Sequence, residues 1–194
     1  MEELITTTNR LKEHKITNIV DFVLSFLFIL LALTCVFSLH SVPTGSMEPF
    51  IPAGSIVVCW RMPFIMTNPI PPRGAIVSFK DPDNKSRKLL KRVIGLPGDI
   101  LTFSGGDVYV NGALLEEPYL PGEGITFSPE ESYTVPPGHF FAMGDNRANS
   151  KDSRHKATPF IPIEDIHARW IFTMPDIFAF FVGESNIQEG KHHS

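Results

Sequence analysis

Hydrophobic positions along this chain follow two patterns. The first is one unbroken block: Phe22 to Leu39 reads FVLSFLFILLALTCVFSL, with no charged residue and apolar side chains on every side. A helix in a folded core is apolar on one stripe only, so a block apolar all round suits lipid instead. As a helix it spans about 27 Å, close to the hydrocarbon thickness of a bilayer. The run exceeds the apolar part of a cleavable signal peptide, and no small-x-small site follows it before Pro43, so it reads as a retained anchor.

The second pattern starts at Ser55. Short runs (SIVVCW, GAIVSF, DILTF and DVYV) are rich in β-branched and aromatic residues and are broken by turn residues. Asn111-Gly112, between DVYV and ALL, is the strongest hairpin signal in the chain. VPPGHFFAM reads as a further strand after a Pro-Gly turn, and helix is expected only as short pieces within 147–155 and 162–167. The predicted organisation is a cytoplasmic tail (1–17), a transmembrane anchor helix (18–40), a β-rich extracytoplasmic domain (41–183) and a polar C-terminal tail (184–194). Arg10, Lys12 and Lys15 precede the block, whereas Arg61 is the first strongly basic residue after it. The positive-inside bias therefore leaves the N-terminus in the cytoplasm and the β-rich domain on the other face of the cell membrane, crossed once.

Two more apolar stretches stand out. MPFIMTNPIPP (62–72) is too rich in proline for a good strand; it is either a loop packed on the core or an exposed lip resting on the bilayer. WIFTMPDIFAFFV (170–182) is too short to span and contains Pro175 and Asp176, so it reads as a buried closing strand followed by an interfacial segment.

Composition narrows the picture further. With 43% hydrophobic and 20% charged residues, the chain is neither disordered nor wholly embedded in lipid. A net charge of −4 leaves no nucleic-acid footprint. Seventeen prolines and fourteen glycines fit a turn-rich β body. Cys35 lies in the apolar block and so is not expected to pair with Cys59. The seven histidines are scattered, without metal-ligand spacing.

Three segments carry candidate chemistry. In SVPTGSMEPF (41–50), Pro43 and Gly45 flank small hydroxyl residues, a composition that can present a serine hydroxyl and aim backbone N–H groups at one point. A serine nucleophile needs a base. In KLLKRVIGLPGD (88–99), Lys91 sits among Leu89, Leu90, Val93 and Ile94. An ordinary lysine, with a pKa near about 10.4, is a useless base at neutral pH, and an apolar setting lowers it by disfavouring the ammonium. A strand lysine snorkelling to water is the plainer alternative for this residue alone. GDNRANSKDSR (144–154) is a polar segment in which Ser150 could orient Lys91, and Asp145, Asp152, Arg92 and Arg154 could form ion pairs.

In order, spacing and wording, GSMEP after an apolar span, KRVIGLPGD some 45 residues on and GDNRxNSxDSR near the end resemble the type I signal peptidases. The resemblance covers most of 41–170, including NGALLEEPYL (111–120). It implies a mainly β fold, a body of two antiparallel sheets behind one N-terminal transmembrane helix. It further implies a serine endopeptidase with Ser46 as nucleophile and Lys91 as general base. Thr44, through its hydroxyl, and the Ser46 N–H would form the oxyanion hole; Ser150 would orient Lys91, supported by Asp152. Val42, Pro43, Met47, Val77, Leu89 and Leu90 match positions lining shallow substrate pockets. The substrates would be exported preproteins, cut after small residues at −3 and −1, with no metal or cofactor. The lipid bilayer would be met through 18–40 and, where 62–72 is an exposed lip, through that segment as well.

The chain departs from the family pattern at Phe50, Ile51, Ala75, Ala148 and in HKATPFIP after Arg154, none of which touches the Ser46–Lys91 pair. Self-cleaving repressors share the chemistry but would need a DNA-binding segment where this chain has its apolar block. A catalytically silent, membrane-tethered β domain that binds exported proteins is the other alternative; both Ser46 and Lys91 are present here.

Overall fold

The computed structural model describes residues 2–61, 64, 67, 69–122, 124–129, 132–155 and 159–174, with side chains described from Lys15 onward. The chain divides between Phe37 and Ser38 into two compact units. The first is a single helix, α1 (Glu2–Val36). Its segment Lys15–Val36 has 22 residues, a mean hydropathy of 2.7 and no buried surface, and is long and apolar enough to cross a membrane. The helix stops four residues before the predicted end at 40. Phe37–Ser41 is instead extended as strand β1, at the edge of a sheet, because inter-strand hydrogen bonds replace the helical ones there.

The second unit is mainly β. Its remaining strands are β2 (Ile56–Trp60), β3 (Ile76–Asp81), β4 (Asn84–Gly95), β5 (Ile100–Ser104), β6 (Asp107–Val110), β7 (Ala113–Leu114), β8 (Ser132–Thr134), β9 (His139–Met143), β10 (Ile161–Pro162) and β11 (Ile166–Thr173). They form a seven-stranded sheet in the order β1-β2-β11-β3-β4-β9-β10 and a four-stranded sheet in the order β7-β6-β5-β8. From β2 to β10, and throughout the small sheet, neighbours run antiparallel. The Asn111-Gly112 turn joins β6 to β7, with Tyr109 opposite Leu114 and Val110 opposite Ala113. Both turn residues have positive φ, 54° and 83°, the type I′ geometry that favours Asn-Gly.

Strand alternation distributes the core. Val93, Phe140 and Ala142 point into one cluster with Val77, Phe79, Ile161, Ile163 and Ile166. Their neighbours Ile94, Phe141 and Met143 point the other way, onto Leu101, Val108 and Tyr133 of the small sheet. The C-terminal part of β4 is thus covered on both faces, which is why it reads as an apolar run rather than an alternation. A third cluster joins Val42, Met47, Ile51, Val57, Cys59, Ile76 and Ala168, with Leu90 and Trp170 at its margin.

One expectation is corrected. The segment read as a buried closing strand is a strand, but it lies between β2 and β3, and Ile171 and Phe172 are 41% and 49% exposed. β3 pairs with β11 only up to Arg169; beyond a bulge near Trp170 the strand pairs with β2 alone and outruns its cover. The short helical pieces expected within 147–155 and 162–167 are present as single 3-10 turns, Ser153–His155 and Ile163–Asp165. Within 62–72, Phe64 packs on the first core cluster and Ile70 is 56% exposed, while 62, 63, 65, 66 and 68 lie outside the described residues. So do 175–182 and the tail 184–194.

Candidate active site

Ser46 sits in a 3-10 turn, Gly45–Met47, entered through extended Thr44 (φ −122°, ψ 149°). The turn is fastened at both ends. Met47 is fully buried in the third cluster, the Ile51 N–H donates to the Met47 carbonyl at 2.9 Å, and Val42 exchanges backbone bonds with Ser55 and Gly54. Lys91 comes from β4, opposite Val77 and one residue before pairing with β9 begins at Arg92. It is only 4% exposed, and its Nζ lies 2.5 Å from Ser46 Oγ. The Thr44 hydroxyl reaches the same Oγ from outside at 3.4 Å.

The 144–154 segment locks this turn from behind. The Asn146 N–H donates to the Ser46 carbonyl at 3.2 Å, and Asn146 Nδ2 donates to the Gly45 carbonyl at 3.0 Å. Gly144 permits the close approach: a Cβ there would lie 2.3 Å from the Ser46 carbonyl oxygen and 2.2 Å from Ser150 Oγ. Asp152 accepts the Gly144 N–H at 2.9 Å and holds Arg154 through two bonds of 2.9 Å. Arg154 also donates to the Phe127 and Arg147 carbonyls. The Ser150 hydroxyl is buried and, among the described residues, meets no partner in good hydrogen-bond geometry; it lies close enough to the Asp152 carboxylate to help lower it.

On the other flank, Asp145 clasps Arg92 in a bidentate pair of 2.8 and 2.6 Å. The guanidinium stacks on Tyr119 at 3.7 Å and lies 4.9 Å from the Phe50 ring. Arg147 donates to Glu117 at 2.8 and 2.5 Å, to Thr126 Oγ1 and to the Gly144 carbonyl. Sequence reasoning missed Asn146, Arg147, Glu117 and Tyr119. Their signal was a second arginine inside a short polar segment, which when buried demands a carboxylate from elsewhere; EEPYL (116–120) offers one.

Burial alone would push the Asp152 carboxyl up. The Arg154 bonds and charge, the Gly144 N–H and the Ser150 hydroxyl outweigh it and hold the group below its ordinary value. A folded pKa below the unfolded one contributes stability above the unfolded value, about 3.9, and loses it as pH falls through the folded value. Asp152→Asn is therefore expected to melt below wild type at pH 7, with the gap closing as the pH falls below about 4. Thermal melts across pH 2–7 check this, and a constant gap would remove the carboxylate's charge from the account.

A cavity of about 790 Å³ opens beside Ser46, walled by Val42, Pro43, Thr44, Leu89 and Leu90. Met47 and Val77, expected on this wall, are fully buried. Met47 is the foot of the Ser46 turn, and Val77 points with Phe79 into the first cluster. Among the described residues, no three metal-ligating side chains converge.

The chain has recognisable relatives. Residues 16–174 match the family described as signal peptidase, peptidase S26. Signal peptidase I of Pseudomonas aeruginosa is 32% identical over 158 residues, which cover 62% of this chain and 56% of that one. A probable signal peptidase I-2 of Synechocystis is 35% identical over 136 residues, 66% of this chain and 58% of the relative. The crystal structure of a signal peptidase I from Enterococcus faecalis, 32% identical, superposes with a TM-score of 0.43 over 51% of this chain and 95% of that one. The chain thus spans a little over half the length of these two sequence relatives. Because the family match runs from the apolar part of α1 through the Ser46 turn and Lys91 to the end of β11, this chain belongs to the signal peptidase family, peptidase S26.

Proposed function

We propose that this chain is a membrane-anchored serine endopeptidase that removes N-terminal signal peptides from exported preproteins, cutting after small residues at −3 and −1. The observation that carries the reading is the 2.5 Å approach of a buried lysine amine to a serine hydroxyl on a fastened turn. Removal from water favours the neutral amine, the form that can accept a proton from Ser46. Ser46 Oγ then attacks the scissile carbonyl while its proton passes to Lys91 Nζ. The developing oxyanion is met by the Ser46 N–H and the Thr44 hydroxyl. Lys91 returns the proton to the departing amine of the mature protein, leaving the signal peptide esterified to Ser46. A water deprotonated by Lys91 hydrolyses that ester and restores both groups. Asp152 and Arg154 act as positioning residues, holding Gly144 against the Ser46 turn, and Ser150 packs at the same point.

Specificity for small residues is supported by the apolar walls beside Ser46, where Val42 is buried and Leu89 and Leu90 are half-buried. Anchoring is supported by the apolar part of α1. The basic residues before it favour an N-terminus in the cytoplasm and a β unit on the extracytoplasmic face. In detergent, the full chain is expected to cleave a preprotein carrying an Ala-x-Ala site after the second alanine, and Ser46→Ala is expected to abolish the cut. A folded wild type that cleaves no preprotein would assign the chain to a silent domain that binds exported proteins.

A further inference from the structure

The face of the large sheet that carries the third core cluster ends in a band of bases. Lys80 and Lys88 are direct cross-strand partners, one alternation beyond the pair Ser78 and Leu90. Arg61 lies two residues past buried Cys59, and His40 two residues before buried Val42, so both belong to the same face. His167, beside the bulge at Ile166/Ala168, sets its ring against His40 edge to face, 6.4 Å between centroids. In spatial order, β1, the end of β2, β11, β3 and β4 each supply one base to one end of the sheet.

These bases act on one another. Burial and the Lys88 and Arg61 charges hold His40 below its ordinary value. Burial, then Arg61 and Lys80, lower Lys88. Burial together with Lys88, Arg61, His40 and Lys80 pushes His167 down to about 4. Asp165 reaches Lys80 at 3.9 Å but is held more closely by Lys85 at 2.5 Å. Bases gathered so closely that they depress one another make a local field that favours an anion beside them.

The chain itself indicates the source of the anion. His40 follows the end of α1 by four residues, which place it no more than about 13 Å along the chain from Val36. If α1 crosses the bilayer, that distance keeps His40 within reach of the headgroup layer. We propose that His40, Arg61, Lys80, Lys88 and His167 form a binding site for the phosphate of an anionic lipid headgroup, beside the cavity that opens on Ser46. His40 and Lys88 also line that cavity, so the bound lipid would border the entrance to the cleft. This rests on the anchoring half of the proposed function and adds to it a defined lipid class and site.

The test uses the full chain reconstituted in phosphatidylcholine vesicles, with trace spin-labelled phosphatidylglycerol or phosphatidylcholine. Electron paramagnetic resonance reads the fraction of each label held immobile. Wild type is expected to hold phosphatidylglycerol about fivefold more than phosphatidylcholine, and Lys88→Gln/His167→Gln is expected to lose most of that excess. Arg10, Lys12 and Lys15 are unchanged in the variant, so the difference belongs to the band. Lys80→Gln, at a half-exposed side chain, is the second variant should the first fold poorly. An equal excess in wild type and both variants, with all of them floating with the vesicles, overturns the site and leaves anchoring intact. A chain that neither floats nor immobilises lipid defeats the anchoring reading and the site with it. Displacement of the labelled lipid by inorganic phosphate, but not by chloride at equal ionic strength, reassigns the band to a soluble phosphate. Unchanged lipid selectivity with a raised KM for preproteins acidic near the cut reassigns it to the substrate.

Discussion

Lys91→Arg is expected to lower kcat for preprotein cleavage by about three to four orders of magnitude, the upper part of the range for loss of a general base. Arginine brings a permanent positive charge and hydrogen-bonding capacity but does not give up its proton at any working pH, so it cannot present the neutral amine the mechanism uses. The substitution therefore separates the base role from simple charge. It also places a larger, planar head in a position only 4% exposed and 2.5 Å from Ser46 Oγ. Lys91→Met, of similar length and without charge, controls for that bulk and is expected to be equally inactive while melting close to wild type. Because Ser46 and Lys91 act as a unit, adding Ser46→Ala to either variant should cost almost nothing further. Substrate capture by the inactive variants should persist, since the Val42, Leu89 and Leu90 walls are untouched. Appreciable turnover by Lys91→Arg would remove Lys91 from the role, and additive losses in the double variant would show that the two residues act apart.

What could be read in advance was local. The apolar block declares itself because eighteen consecutive uncharged residues have no other economical home than lipid or a deep core. The β6–β7 hairpin was legible because two adjacent residues with positive φ select Asn-Gly almost by chemistry alone. The strands Ile56–Trp60 and Ile76–Asp81 announce themselves through β-branched residues. α1 ends at Val36 rather than at 40, although Phe37 to Leu39 continue the uncharged block without a break. What ends the helix is the sheet edge beside Ile56–Trp60, a partner some twenty residues away in sequence. The position of β11 was hidden for the same reason: a strand at the end of the chain that inserts between β2 and β3 is a fact of topology, not of its own composition.

The candidate site divides along similar lines. Lys91 and Ser46 could be proposed as partners from their settings, although 45 residues separate them, because each made chemical sense only with the other. The support around them was less legible. Asn146 fastens the Ser46 turn through its side chain and its backbone N–H, and a backbone donor leaves no mark on the sequence. Met47 and Val77 were expected on the cavity wall beside Leu89 and Leu90; both are fully buried, Met47 in the third cluster and Val77 in the first, on the same sheet face as Leu89.

Asp145→Ala is expected to be the most destabilising single change in the polar support, costing about 3–5 kcal/mol. Arg92 is 6% exposed, and its Nε and Nη2 both donate to Asp145. Without the carboxylate, the guanidinium keeps, among the described residues, the Gly74 carbonyl and the Tyr119 and Phe50 ring faces. Ring faces cannot replace two charge-assisted bonds, and little water can reach the group. For a domain of this size the loss corresponds to a fall in Tm of roughly 10 °C or more. The double change Arg92→Met/Asp145→Leu removes both charges together and should restore much of the deficit, because most of the single variant's cost is the stranded cation. Asp145 also precedes Asn146, so the single variant should lose activity at temperatures where it is still folded, through a loosened Ser46 turn. Thermal melts of the three proteins in one detergent, paired with cleavage rates at 20 °C, measure both effects. A double variant no more stable than Asp145→Ala would show that the pair stabilises the fold through its own attraction, not by keeping a buried cation matched.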